Sequence, residues 1–209
     1  PVGDPNKETI VATFADHGTF ELFGFKTVDK LMELYSGEDR KENFDFVHVA
    51  GDLSYAGLST AFTPLNISKE DEFEHIWDLL AIQNQKVAAN VPWMVSNGNH
   101  ERFYDWAAYK ARFTMPANTV DQHGYASNGN FYYSYRYNNV QWISLDSEGD
   151  LSSDSPQMMF LEKALTSATQ NRDSVPWIVV SLHKPLYCSA KGTPGGYAAL
   201  LETTLNKYG

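Results

Sequence analysis

The sequence predicts an α/β fold, a layered sandwich of mainly parallel or mixed β-sheets flanked by helices. Three observations lead there. Apolar, β-branched runs alternate with stretches of helical periodicity along the 209 residues. Those runs are apolar at nearly every position, as strands covered on both faces are, and not at every second one. Several of them stop abruptly on acid, amide or imidazole groups that contribute nothing to a core.

The elements follow in order. "TIVATFAD" (residues 9–16) is a strand ending on an acid. "FKTVDKLMELYS" (25–36) spaces Phe25, Val28, Leu31, Met32 and Tyr35 at helical intervals, and Gly37 reads as its stop. "FDFVHVAGD" (44–52) is a second buried strand, again ending on an acid. "SKEDEFEHIWDLLAIQNQKVAAN" (68–90) is a long amphipathic helix, with Ser68 as cap and acids in its first turn. A strand over 91–96 precedes a short helix over 103–113. "FYYSYRYNNVQWISLDS" (131–147) is an aromatic hairpin turning at Asn138-Asn139. A helix over 155–169 opens with Ser155 at the cap and Pro156 in first position. "VPWIVVSLHKP" (175–185) is one more buried strand, and 196–209 a last helix stopped by Gly209. No repeat or linker interrupts the pattern, so residues 1–209 are expected to form a single domain.

Composition removes several function classes. Sixteen basic against twenty-six acidic residues give a net charge of −10, which argues against nucleic acid or an anionic membrane as partner. No apolar run approaches the ~20 residues of a membrane span. Cys188 is the only cysteine, so neither an internal disulfide nor a cysteine-based zinc cluster can form. The sequon Asn66-Ile67-Ser68 permits a secreted origin.

What remains is carried by the strand ends. Right-handed crossovers put the C-terminal ends of parallel strands on one edge, where ligands bind in such sheets. After successive strands come Asp16-His17-Gly18, then Gly51-Asp52-Leu53-Ser54-Tyr55, then Gly98-Asn99-His100-Glu101, then His183. Singly, each has a plain structural reading: a helix-capping aspartate, a Gly-Asn turn, a core histidine. Together, four strands deliver two carboxylates, a phenol, an amide and an imidazole to one edge of one sheet. Facing carboxylates in an apolar crevice repel unless a cation lies between them. Hard oxygen donors with imidazole suit iron, manganese or zinc.

The ordered series Asp-x-Gly (Asp16 to Gly18), Gly-Asp-x-x-Tyr (Gly51 to Tyr55), Gly-Asn-His-Glu (Gly98 to Glu101) and Val-x-x-His (Val180 to His183) resembles the purple acid phosphatases. They are a branch of the calcineurin-like metallophosphoesterases, and the resemblance runs from about residue 9 to the end of the chain. Most metallophosphoesterases carry His where Gly18 stands and lack a tyrosine at position 55. That exchange of imidazole for phenol selects the branch, and "HKPLYCS" (183–189) is similar to its eukaryotic members.

The resemblance implies a metallophosphoesterase-type sandwich and a dinuclear metal centre. In it, Asp16 and Tyr55 would bind iron(III), and Asp52 would bridge it to a divalent metal (Fe, Zn or Mn). Asn99, through its amide oxygen, and His183 would bind that second ion. His100 would bind no metal, but would hydrogen-bond the substrate phosphate and protonate the leaving oxygen. Glu101 either orients His100 or caps the helix from 103, with the cap put first. Asp146 is read as a strand-end turn ahead of a role behind the metal ligands, and His17, His48, His75 and His123 as structural or surface residues.

The implied activity is hydrolysis of small phosphate monoesters at a site that polarises phosphoryl oxygens and acidifies water. A phosphodiesterase or nucleotide hydrolase of the same superfamily is the nearest alternative, and a non-catalytic scaffold binding a partner protein the more distant one. A secreted or lysosomal/vacuolar location accompanies the resemblance. The family's last motif, Gly-His-x-His, has no counterpart here, so the chain is expected to lack its C-terminal strands, which a separate fragment or chain would then supply. Ala190, Lys191 and Gly192 stand where the family often has substrate-facing histidines.

Overall fold

The structure, a computed structural model, describes residues 3–4, 6–19, 23–36, 43–57, 73–116, 127–189 and 196–209. They fall into two compact units, one of Ile10–Phe113 and one of Pro1–Thr9 with Thr114–Gly209. The expected stop at Gly37, the cap at Ser68, the sequon at Asn66, His123 and Ala190 to Gly192 lie outside the described residues. Among the described residues, no helix is long and apolar enough to cross a membrane.

The Ile10–Phe113 unit holds a parallel sheet. Strands β1 (Val11–Phe14), β2 (Phe46–Ala50) and β3 (Trp93–Ser96) pair in that order, with Val11 opposite Phe46 and Ala50 opposite Ser96. Helix α1 (Phe23–Ser36) follows β1, helix α2 (Phe73–Ala88) follows β2, and the two helices pack on each other. The continuous apolar run of β2 is explained by its central place: Val47 and Val49 are wholly buried. Val28 and Leu31 from α1 and Trp77, Leu80 and Val87 from α2 complete this core, at the helical spacing the sequence shows. Phe25, Met32 and Tyr35 are half-buried at the margin of that stripe.

Helix α3 (Phe103–Arg112) departs from the regular helix expected there. Tyr104, Asp105 and Trp106 have left-handed backbone, with φ of 52°, 55° and 61°. From this turn the Asp105 carboxylate reaches Lys110 Nζ at 3.0 Å.

The other unit holds a mixed sheet. β4 (Tyr133–Tyr137) and β5 (Val140–Ser144) form the expected hairpin about Asn138-Asn139. Asn138 takes the left-handed conformation, φ 48°, that asparagine tolerates in such turns. β6 (Trp177–Ser181) runs parallel to β5. Helix α4 (Pro156–Thr169) starts as its sequence dictates, the Ser155 Oγ accepting the Met158 N–H at 3.2 Å. Its Phe160, Leu161 and Leu165 pack with Ile143, Leu145 and Leu201, the last from α5 (Tyr197–Tyr208).

Two expectations need correction. Among the described residues the strands form two three-stranded sheets, and β6 pairs in the sheet of β4 and β5, not in that of β1–β3. Nor is β6 a fully buried strand. Trp177 is 63% exposed and the rest half-buried, because among the described residues β6 pairs with β5 alone.

Two predictions follow from the packing. His48 lies wholly buried in the middle of β2, and burial pushes its imidazole down from 6.5 to about 4. The unfolded chain therefore takes up this proton before the folded protein does, and stability drops as pH falls from about 6.5 to about 4. The full shift corresponds to about 3 kcal/mol. Urea midpoints at neutral pH and near the lower limit should show His48→Leu losing less stability than the parent; equal losses would contradict this assignment. At Gly24, a Cβ would collide with the Gly18 carbonyl oxygen and the Gln83 amide. Gly24→Ala, ordinarily favourable by about 0.5–1 kcal/mol within a helix, should instead lower the midpoint.

Candidate metal centre

The site is built on the ends of β1, β2 and β3. Beyond the strands the first two loops continue the ladder. The N–H groups of Asp16, His17 and Gly18 donate to the carbonyls of Gly51, Asp52 and Leu53 at 3.1, 3.0 and 2.9 Å. This second run of pairing holds Asp16 beside the Asp52 loop, so two carboxylates arrive at neighbouring strand ends.

Side chains then converge. The Tyr55 O–H donates to Asp16 Oδ1 at 2.6 Å. Asp52 is 3% exposed, and its Oδ1 accepts the His100 N–H at 3.0 Å. The His100 Nε2 lies 3.7 Å from Asp52 Oδ2, and its ring sits 4.5 Å from the Tyr55 ring. Asn99 is half-buried at the start of the single 3₁₀ turn Asn99–Glu101. Asp16, Asp52, Tyr55 and His100 are therefore brought together. His183 is half-buried two residues beyond β6, in the other unit.

Backbone strain coincides with the candidate ligands. Asp16, Asp52 and Tyr55 all have left-handed backbone, with φ of 53°, 53° and 59°. Non-glycine residues are uncommon there, and such strain gathers at functional sites.

The donor set fits a hard cation. Burial above all holds the Tyr55 phenol well above its usual range, helped by its bond to Asp16 and by the charge of Asp52. A phenol beside two carboxylates becomes a phenolate only when a strong positive charge balances it. Asp16, Tyr55 and Asp52 offer carboxylate and phenol oxygens with no thiolate, a set suited to trivalent iron and its neighbours. The hydrogen bond from Tyr55 to Asp16 marks where these two oxygens converge.

Glu101 departs from the cap role put first for it. It does not cap α3, whose N-terminus has no side-chain cap. Instead its buried carboxylate accepts three backbone N–H groups: Asp52 at 2.9 Å, Leu53 at 2.8 Å and Gly98 at 2.7 Å. Burial pushes its carboxyl up to about 7, against the downward pull of those bonds. The sequence offered one signal for this role, a run of strand-end N–H groups that needed acceptors.

The remaining histidines and Asp146 take the structural roles read for them, where described. His17 Nε2 lies 2.8 Å from both Asn84 Oδ1 and Gln83 Nε2, and burial lowers its basicity. Gln83 also donates to the Gly18 carbonyl at 3.1 Å, so α2 grips the Asp16 loop from behind. His75 is exposed. Asp146 forms a strand-end turn, its Oδ1 accepting the Glu148 N–H at 2.9 Å. Periodicity gave no sign of the ties next to His183. There the Lys184 N–H donates to Ser147 Oγ at 3.1 Å, and its Nζ meets Glu148 Oε2 at 2.8 Å.

Comparison with known proteins identifies the family. The family model described as calcineurin-like phosphoesterase matches residues 9–209. A probable purple acid phosphatase of Arabidopsis thaliana is 31% identical over 162 residues, 74% of this chain and 33% of its own length. A nucleotide pyrophosphatase/phosphodiesterase of Hordeum vulgare is 26% identical over 204 residues, 89% of this chain and 50% of its own length. Among solved structures, a purple acid phosphatase from yellow lupin (Lupinus luteus) seeds has the same fold. Its TM-score is 0.74 at 24% identity, over 98% of this chain and 37% of its own. The chain thus spans a third to a half of the length of these relatives. With its ordered motifs on the expected strand ends and a family match over nearly its whole length, the chain belongs to the calcineurin-like phosphoesterases.

Proposed function

We propose that this chain forms the metal-binding core of an acid phosphatase that hydrolyses small phosphate monoesters at a dinuclear iron/divalent-metal site. The observation that carries the reading is the meeting of Asp16, Tyr55 and Asp52 at neighbouring strand ends, with His100 against both Tyr55 and Asp52. Asp16 and Tyr55 would hold iron(III), Asp52 would bridge, and Asn99 and His183 would hold a divalent ion (Fe, Zn or Mn). When bound, the metals would supply Lewis acidity at the phosphoryl oxygens and acidify water for attack.

The chain's own residues do the rest. Asp52 places its carboxylate by accepting the His100 N–H, which also fixes where the His100 ring begins. The Tyr55 ring limits that imidazole on one side, leaving Nε2 to hydrogen-bond a phosphoryl oxygen and pass a proton to the leaving oxygen. A secreted or lysosomal/vacuolar location goes with the family resemblance, and the sequon at Asn66 permits it. The barley relative, named a nucleotide pyrophosphatase/phosphodiesterase and matched over 89% of this chain, supports a nucleotide phosphodiesterase as the second reading.

A paired assay decides between them: an aryl phosphate monoester and the corresponding diester, offered to the purified protein at acidic pH. The monoester should be hydrolysed faster; preference for the diester would favour the second reading, and no turnover of either would favour a scaffold. His100→Ala should lower monoester turnover roughly 10²–10⁴-fold with bound metal retained, whereas Asn99→Ala or His183→Ala should lose the divalent ion. In the iron-loaded protein, Tyr55→Phe should bleach the phenolate-to-iron absorption band, and a variant that stays coloured would show the ligand to be misassigned.

A further inference from the structure

Two of the three hydrogen bonds that Glu101 accepts leave its own turn. A cap for the 3₁₀ turn Asn99–Glu101 needs only the Gly98 N–H, which Oε2 accepts at 2.7 Å. The same Oε2 also takes the Asp52 N–H, and Oε1 takes that of Leu53, residues 49 and 48 positions away in the loop after β2. Asp52 and Leu53 are thus gripped from two sides, by Glu101 through their N–H groups and by the Asp16 loop through their carbonyls. The segment so gripped includes the left-handed Asp52, φ 53°. A side chain leaves such a residue in a different direction from one on extended backbone, so whatever holds that conformation also aims the carboxylate.

We propose that Glu101 is a positioning residue for the metal site: its carboxylate locks the loops after β2 and β3 together, so that Asp52 and Asn99 are presented in register. The proposal deepens the metal-site reading above and rests on it. A carboxylate is the side chain this task requires. Three converging donors need three acceptor lone pairs spread over two oxygens. Glutamine has the same shape but only one acceptor oxygen, and its NH₂ would face a backbone N–H, donor against donor. Aspartate keeps the charge but is one methylene too short to reach both loops.

The test is a Zn²⁺ titration of the purified metal-free protein and its Glu101→Gln variant. Glu101→Gln should fold and bind Zn²⁺ roughly 10–100-fold more weakly, the usual cost of losing a group that orients metal ligands. In the loaded enzyme, kcat should fall with KM little changed. Leu80→Ala, a cavity variant in helix α2, should lower the unfolding midpoint yet bind Zn²⁺ as the parent does, which separates positioning from general loss of stability. Parent-like affinity in Glu101→Gln, or equal losses in Leu80→Ala, would overturn the proposal. Backbone amide exchange supplies an arm that needs neither metal nor variant. The Asp52, Leu53 and Gly98 amides should be strongly protected in the metal-free parent, and rapid exchange there would overturn the proposal by itself. A parent with those amides protected but no affinity for Zn²⁺ would sink the metal-site reading while leaving the clamp in place.

Discussion

A single buried carboxylate ties the loops of the β1–β3 sheet into one platform. Strands that end at a ligand-binding edge leave backbone N–H groups with no further ladder partner, and a buried donor left so is costly, about 1–3 kcal/mol. Two solutions are combined here. The loops after β1 and β2 extend the pairing by three bonds, and Glu101 collects the N–H groups of the loops after β2 and β3. Burying that carboxylate is itself unfavourable, as the upward push on its pKa shows. Three N–H bonds offset part of the penalty, and a bond to a charged acceptor is the stronger kind.

The same platform explains how strained backbone persists. Asp16, Asp52 and Tyr55 each sit in a left-handed conformation, at about 1–3 kcal/mol apiece for such residues. None is a glycine, so the strain is retained together with the side chains. Asp16 and Asp52 lie inside the hydrogen-bonded loop run, and Tyr55 is tied to Asp16 through its hydroxyl. Stability is given up at the residues whose oxygens converge, and recovered in the Val47, Val49, Trp77 and Leu80 core beneath. Behind the Asp16 loop, the His17, Gln83 and Asn84 bonds add a polar anchor to α2.

What could be read from the sequence was what short-range physics dictates. The buried β2 shows as "FVHVA" because both faces are covered, and the start of α4 shows as Ser155-Pro156 because capping chemistry is local. The strand-end candidates stood out for the same reason: polar residues at the mouth of an apolar strand have few structural uses. Glu101 was misread because its partners lie 48 and 49 residues away, and no periodicity records a hydrogen bond across that distance. The left-handed turn at Tyr104, Asp105 and Trp106 lacks the glycine that would have announced it. β6 was read as buried because its residues are apolar, but composition does not say how many neighbours a strand has. Its assignment to a second sheet is likewise a matter of topology.

The strand-end platform has a chemical purpose only if cations occupy it, so the decisive measurement is the metal content of the purified protein after growth with iron and zinc. Metal that copurifies with the protein, iron included, is expected. A folded, homogeneous protein with no bound metal would contradict the reading, leaving Asp16, Asp52 and Tyr55 as strained residues without a function.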